Sequence, residues 1–242
     1  AASASSERRG IYVGAKADVK LENLIISNGY VDAKNGGGIF LDGKLTINTC
    51  EISHNTVTGG SNYYGGGIYI SASGILIADT IDVNNNVSSG GAGIQSKGTS
   101  TISNSFISSN VCNAWGGGLR INGGKTEAFN TEIYDNSANY GAGIEHVFGE
   151  VLLSDCNIHD NTITYAETYA GADIILTADS ESKTGELLKK FGVDRNSLLE
   201  ALKAVRGNNR VDSQDPESKI DISKLDQDKQ KQLINKNSEQ NS

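Results

Sequence analysis

Over the first three quarters of the chain, apolar residues alternate with polar ones in short stretches, as in Leu45-Thr46-Ile47 and Cys50-Glu51-Ile52. A period of two is what a strand with one buried face requires. The stretches are too short, and too rich in Gly, Asn, Ser and Thr, to propagate as helices.

The alternation is punctuated by an internal repeat. A small-residue triplet followed by an aliphatic residue recurs at Gly36-Gly37-Gly38-Ile39, Gly65-Gly66-Gly67-Ile68, Gly91-Ala92-Gly93-Ile94, Gly116-Gly117-Gly118-Leu119 and Gly141-Ala142-Gly143-Ile144, with a degenerate copy at Gly171-Ala172-Asp173-Ile174. The aliphatic residues are spaced 29, 26, 25, 25 and 30 apart. A second motif, an aliphatic residue three positions before asparagine, falls between the triplets at Ile52/Asn55, Val83/Asn86, Ile107/Asn110, Ile133/Asn136 and Ile158/Asn161.

A period near 25 with two or three short strands per unit predicts a parallel β-helix, in which each strand bonds to its counterpart about 4.8 Å away in the next coil. Ile39, Ile68, Ile94, Leu119, Ile144 and Ile174 should form one interior ladder, and Ile52, Val83, Ile107, Ile133 and Ile158 another. The glycines supply positive φ or close backbone approach at one corner. At the other corner asparagine tolerates the left-handed conformation and can bond along a ladder.

The paired motifs resemble the repeats of polymorphic outer-membrane proteins and related right-handed β-helix surface proteins over about residues 36–174. The resemblance implies an all-β, right-handed, single-stranded parallel β-helix of the pectin-lyase-like type. It also implies an exported, adhesin-like role outside the cell or on its surface, although the carboxy-terminal transporter barrel of that family is missing from this sequence.

Composition divides the chain. Residues 1–178 carry 9 Lys/Arg and 17 Asp/Glu, while residues 179–242 carry 12 of each. The acidic body has no basic stripe for phosphates, which argues against nucleic acid. No apolar run of about 18 residues predicts a membrane span, and no signal peptide is legible. The sequence contains no methionine, as expected of a processed protein or a fragment.

Residues 1–9 read as a flexible lead, 10–178 as the β-helix, 182–217 as a helical hairpin and 218–242 as a polar, disordered end. In the hairpin, Gly185 to Phe191 form a helix ended by Gly192. Asp194 caps a second helix, with Leu198, Leu199, Leu202 and Val205 on one face and Gly207 at its end. That face is expected to cap the coil at Ile174–Leu176, since an open β-helix end exposes unpaired groups.

The stretch from Leu187 to Glu217 resembles the segment that joins the amino-terminal domain to the first ATPase module in ClpB-type disaggregases. A fused fragment, a gene-model or assembly join and a coincidentally similar cap each fit this resemblance. No G-x-x-x-x-G-K-[ST] loop is present, so no nucleotide partner is expected.

Candidate chemistry is sparse. An aromatic residue precedes three of the triplets, at Tyr64, Trp115 and Tyr140, with Tyr63 and Tyr169 nearby. On stacked coils these rings would line one corner, either covering it or contacting a glycan or protein ligand. They are the candidate ligand-binding residues.

Three cysteines indicate neither a disulfide framework nor a zinc site. Cys50 and Cys156 share a repeat position four coils apart, about 19 Å, while Cys112, after the Asn110 corner, reads as the more exposed thiol. His54 and His159 read as equivalent positions, also about 19 Å apart, and His146 lies on another strand, so no metal or other cofactor is expected.

Asp42, Asp79, Asp82, Glu132, Asp135 and Asp160 are scattered, which suits a solvated acidic face. Asp135 and Asp160 fall at equivalent positions just before the corner asparagines on neighbouring coils, close enough to approach one another, with nothing identifiable opposite them. The expected role is therefore non-catalytic recognition by a surface scaffold. A polysaccharide lyase or hydrolase, which needs converging carboxylates or a calcium cluster beside a base, is the alternative. A chaperone-derived fusion without ATPase activity is another.

Overall fold

The computed structural model describes residues 7–164 and 171–176. The expectations of a hairpin at 182–217, of disorder at 218–242 and of flexibility over most of 1–9, together with Tyr169 and the capping contact of Leu198 and Leu202, fall outside the described residues.

The chain winds as an all-β parallel solenoid of about six turns, with no helix among the described residues. The first strand of each coil carries the predicted ladder. Ile11 pairs with Ile39, then Ile68, Ile94, Leu119, Ile144 and Ile174 follow in register. Ile39 through Ile144 are at most 1 % exposed, and only Ile174, on the last coil, rises to 38 %. Each fully buried aliphatic side chain contributes roughly 1.5–3 kcal/mol, so the repeat itself builds the core.

The second ladder also stands in register, from Ile26 through Ile52, Val83, Ile107 and Ile133 to Ile158.

Each coil contains four strand segments rather than two or three. A residue with positive φ bends the chain between the second and third, at Asn23, Thr49, Thr80, Asn104, Asn130 and Asp155. In Lys44–Ser53 and Ile75–Asn84 the strand continues through that bend. The fourth segments form a separate six-stranded sheet running from Tyr30–Asp32 to Thr162–Ile163.

The two sequence motifs meet in space. Asn55, Asn86, Asn110, Asn136 and Asn161 form a buried amide ladder, each Nδ2 donating to the next Oδ1 at 2.9–3.0 Å. The backbone N–H of each of the first four donates to that same oxygen. The other Nδ2 proton goes to a carbonyl of the preceding coil, such as Val83 for Asn110.

These asparagines are not the left-handed residues. The positive φ belongs to the position before each, at His54, Asn85, Ser109, Asp135 and Asp160. The asparagine turns inward because three to five hydrogen bonds await its amide there, whereas the corner residue faces water.

The third glycine of each triplet leaves room for that amide. A Cβ on Gly118 would stand 2.9 Å from Asn136 Nδ2 and 2.7 Å from the Gly143 carbonyl. In the first coil Gly29 occupies the asparagine position, and its N–H donates to Asn55 Oδ1 at 2.8 Å. At the other end the departure from the triplet, Asp173, accepts from Asn161 Nδ2 at 3.0 Å.

Three expectations about single residues need correction or confirmation. His159 shares its column with Ser53, through Asn84, Ser108 and Tyr134, whereas His54 is the counterpart of Asp160. The ladder residue and the asparagine are three apart in both repeats, so counting from either sets His54 opposite Asp160; His159 lies one residue earlier, and in a strand a one-residue slip exchanges faces. Cys112 is 2 % exposed, and burial pushes its thiol up to about 12. Its sequence position beside a corner misleads because the side chain points inward among Ala92, Ala138 and Ala142.

Cys50 and Cys156 are free thiols, as their separation requires, and Cys156 is the only partly exposed one of the three. A thiol reagent should therefore label Cys156 well before Cys50 and Cys112, as read by mass spectrometry under native conditions; prior labelling of Cys112 would contradict this packing.

Candidate functional site

Two surfaces bring polar chemistry together. The first is the predicted aromatic corner. Tyr64, Gly90, Trp115 and Tyr140 stack on successive coils, because each carbonyl accepts the N–H of the glycine opening the preceding triplet, at 2.8–3.0 Å. Gly90 interrupts the row of rings. Its missing side chain admits Tyr64, whose Cδ1 would stand 2.6 Å from a Cβ there.

Beneath these rings runs a column that the sequence reading left out. The residue after each ladder aliphatic forms it: Tyr12, Phe40, Tyr69, Gln95, Arg120 and Glu145. Alternation marks these positions as outward, hence solvated, and Tyr12 is indeed 62 % exposed, but from Tyr69 onward the column is buried. Gln95, Arg120 and Glu145 are 0 %, 8 % and 6 % exposed.

Tyr12, Phe40 and Tyr69 stack with centroids 5.2 and 5.3 Å apart, and Arg9 lies 5.3 Å from the Phe40 centroid. Further along, Arg120 sits 5.2 Å from the Tyr64 ring and 5.5 Å from the Trp115 ring. Its Nε donates to Glu145 Oε2 at 2.5 Å and Nη1 to Gln95 Oε1 at 3.3 Å.

Burial pushes the Glu145 carboxyl above its ordinary range, against the opposing pull of Arg120. A guanidinium between two aromatic faces is a favourable arrangement. It holds Tyr64 and Trp115 in fixed, half-buried positions. Tyr140 joins them through its backbone, paired with Trp115. Opposite charges at equivalent positions 25 residues apart, Arg120 and Glu145, are the sequence signal that would have revealed this column.

The second surface is a groove along the bend between the second and third strand segments. Two adjoining cavities, of about 440 and 340 Å³, share Asn104 and Phe106. The left-handed bend positions line them from Asn23 to Asp155. So does the outward column of the third segments, which reads Ile25, Glu51, Asp82, Phe106, Glu132 and Asn157 in register.

Phe106 is 45 % exposed and Ile25 71 %. Asp82 Oδ1 is buried without a hydrogen-bond partner, a state that normally calls for one. Around it the polar side chains are held in place. Asp79 accepts from Ser103 Oγ and Asn104 Nδ2, both at 2.7 Å, and these two bonds hold its carboxyl below the usual range. Asn130 Nδ2 donates to Asn104 Oδ1 at 2.8 Å.

At the far end Glu132 Oε1 lies 2.9 Å from His159 Nε2, and Asp160 Oδ2 lies 2.7 Å from His159 Nδ1. These carboxylates, Asp160 first, raise the His159 pKa. Tyr134 stacks on the imidazole at 5.5 Å.

Of the sequence candidates, Asp82 and Glu132 line the groove and Asp79 braces its rim. Asp42 is elsewhere, accepting from Ser71 and Ser73. Asp135 and Asp160 occupy equivalent corner positions, but Asp160 turns to His159 and no bond joins the two carboxylates. Phe106 was missed because a single aromatic in an outward position has no repeat to announce it.

No family model matches the chain and no solved structure matches it, so the likeness to outer-membrane surface repeats rests on the repeat motifs themselves.

Proposed function

We propose that this protein is a non-catalytic recognition scaffold, displayed outside the cell or on its surface, that binds an extended glycan or protein ligand along the groove. The observation that carries the reading is the continuity of the groove. It crosses the coils on side chains already held by their neighbours, with an exposed ring at its centre and an unsatisfied carboxylate beside it. Concave, mostly apolar sites with a few fixed polar groups are where ligands bind.

The runner-up is a polysaccharide hydrolase or lyase. Glu51 and Asp82 are register partners on adjacent strands, which brings two carboxylates near one another. Both rise from the same sheet face, however, and so reach a ligand from one side, whereas acid and nucleophile must flank the scissile bond. The aromatic corner is a second binding surface to weigh, since its rings are only half covered.

The test is binding of the purified chain to glycan and peptide arrays, with Phe106→Ala and Trp115→Ala/Tyr140→Ala compared and reducing ends and unsaturated products assayed. Loss of binding in Phe106→Ala alone is expected. Loss only in the double variant would move the site to the corner, and product formation would overturn the non-catalytic reading.

A further inference from the structure

We infer that the groove takes a neutral, hydroxyl-rich linear glycan lying along the solenoid axis, with Phe106 as the platform for one sugar ring; this rests on the groove being the recognition surface.

The argument begins with spacing. Each coil contributes one bend residue and one outward side chain to the groove, and coils repeat every ~4.8 Å. From the coil of Ile25 to that of Asn157 there are five such steps, about 24 Å in all. An extended peptide advances about 3.3 Å per residue, so its side chains fall out of step with the coils within two residues. A pyranose ring is about as long as one coil is thick, so successive sugars of an extended chain meet successive coils.

The lining matches that occupant. Hydroxyls both donate and accept, and the rim combines acceptors (Glu51, Asp82, Glu132) with amides (Asn104, Asn130) that do both. Asp82 lines the first cavity, and its buried Oδ1 has no donor within the fold, so the carboxylate gains a partner by turning towards a sugar hydroxyl in the groove. Phe106 stands between Asp82 and Glu132 in the same column. Its exposed face suits the apolar face of a sugar ring, with carboxylates on either side for the ring's edge hydroxyls.

Charge narrows the class further. Among the described residues Glu51, Asp82, Glu132 and Asp155 line the two cavities and no Lys, Arg or His does; His159, beside Glu132, is already taken up by Glu132 and Asp160. A polyuronate or sulfated chain would bring like charge against four carboxylates lining this groove. Neutral glycans carry no such penalty.

The experiment is calorimetric titration of the full chain with length series of neutral linear β-1,4-linked glucan, mannan and xylan oligosaccharides. Oligogalacturonates of matching length and a Lys/Arg-rich peptide complete the set. For at least one neutral series, affinity should rise with length and level off once the five steps are spanned. Phe106→Ala and Asp82→Asn should each weaken binding by about tenfold or more, and the oligogalacturonates should bind at least about tenfold more weakly.

Oligogalacturonate binding as tight as the neutral chains would overturn the charge argument, and affinity independent of length would overturn the axial placement. Phe106-dependent binding of the basic peptide alone would sink the glycan assignment while leaving the recognition reading intact. No Phe106-dependent binding of any probe would sink both.

Discussion

Replacing Asn110 by alanine should bring the solenoid close to unfolding. The side chain is 0 % exposed and sits at the middle of the amide ladder. Its Oδ1 accepts both the N–H and the Nδ2 of Asn86, each at 3.0 Å. Truncation leaves those two donors buried and unpaired, at a cost of about 1–3 kcal/mol each, hence roughly 2–6 kcal/mol together. Against a typical domain stability of about 5–15 kcal/mol, that is a large fraction. Denaturant unfolding of the purified variant measures it; a loss below about 1 kcal/mol would mean that the ladder is not what holds the corner.

Asn110→Asp separates hydrogen bonding from volume. It keeps the shape but places an oxygen where Nδ2 now donates to Val83 O and Asn136 Oδ1. An ionised carboxylate facing two acceptors is disfavoured in the fold, so its folded pKa should rise above the unfolded value. The folded state then binds more protons, and stability of this variant should recover as pH falls through that window. Gly118→Ala should approach the same loss from the opposite wall, because its new Cβ would press on the Asn136 amide and on the Gly143 carbonyl.

Arg120→Met should cost about 3–5 kcal/mol, since it strands the Glu145 carboxylate in a buried site. The double change Arg120→Met/Glu145→Leu should return most of that loss, because an apolar pair of similar volume carries no desolvation penalty. Trp115, the single tryptophan, loses its guanidinium neighbour in both variants, so its emission reports the local change independently of global stability.

The pH dependence has a definite sign. Glu145 is held above its ordinary value of 4.5, and losing Arg120 removes the interaction that pulls it down. The folded Arg120→Met variant therefore binds a proton more readily than its unfolded chain does. Its deficit should shrink as pH is lowered towards the unfolded pKa and grow as pH rises through the folded one. Equal destabilisation at all pH values, or a double variant no better than the single, would remove the ion pair as the cause.

Much of this was legible in the chain. The triplets and the asparagine motif share a period, and a shared period in a strand-forming sequence stacks equivalent residues, so both interior ladders follow from counting. The same counting located the aromatic corner and kept Cys50 and Cys156 apart. Counted strictly it also sets Asp160, not His159, opposite His54; it turned Cys112 outward because periodicity names a repeat position without saying which way the chain bends there. Ser100 and Thr126 show the same limit: both are 0 % exposed and bonded to one another, yet neither reads as interior by its chemistry.

The division has a physical basis. Burial along one strand is a local property, set by alternation and by the covalent period of the repeat, and the order of residues records it directly. The path of the corners is not local. Which residue takes the left-handed conformation, which loop folds over Arg120, and how the bend at Asn104 opens a groove beside Phe106 depend on hydrogen bonds and contacts between coils 24 to 31 residues apart. Only when those coils are stacked does the outward column beneath the corner become buried, and the outward column beside the bend become the wall of a cleft.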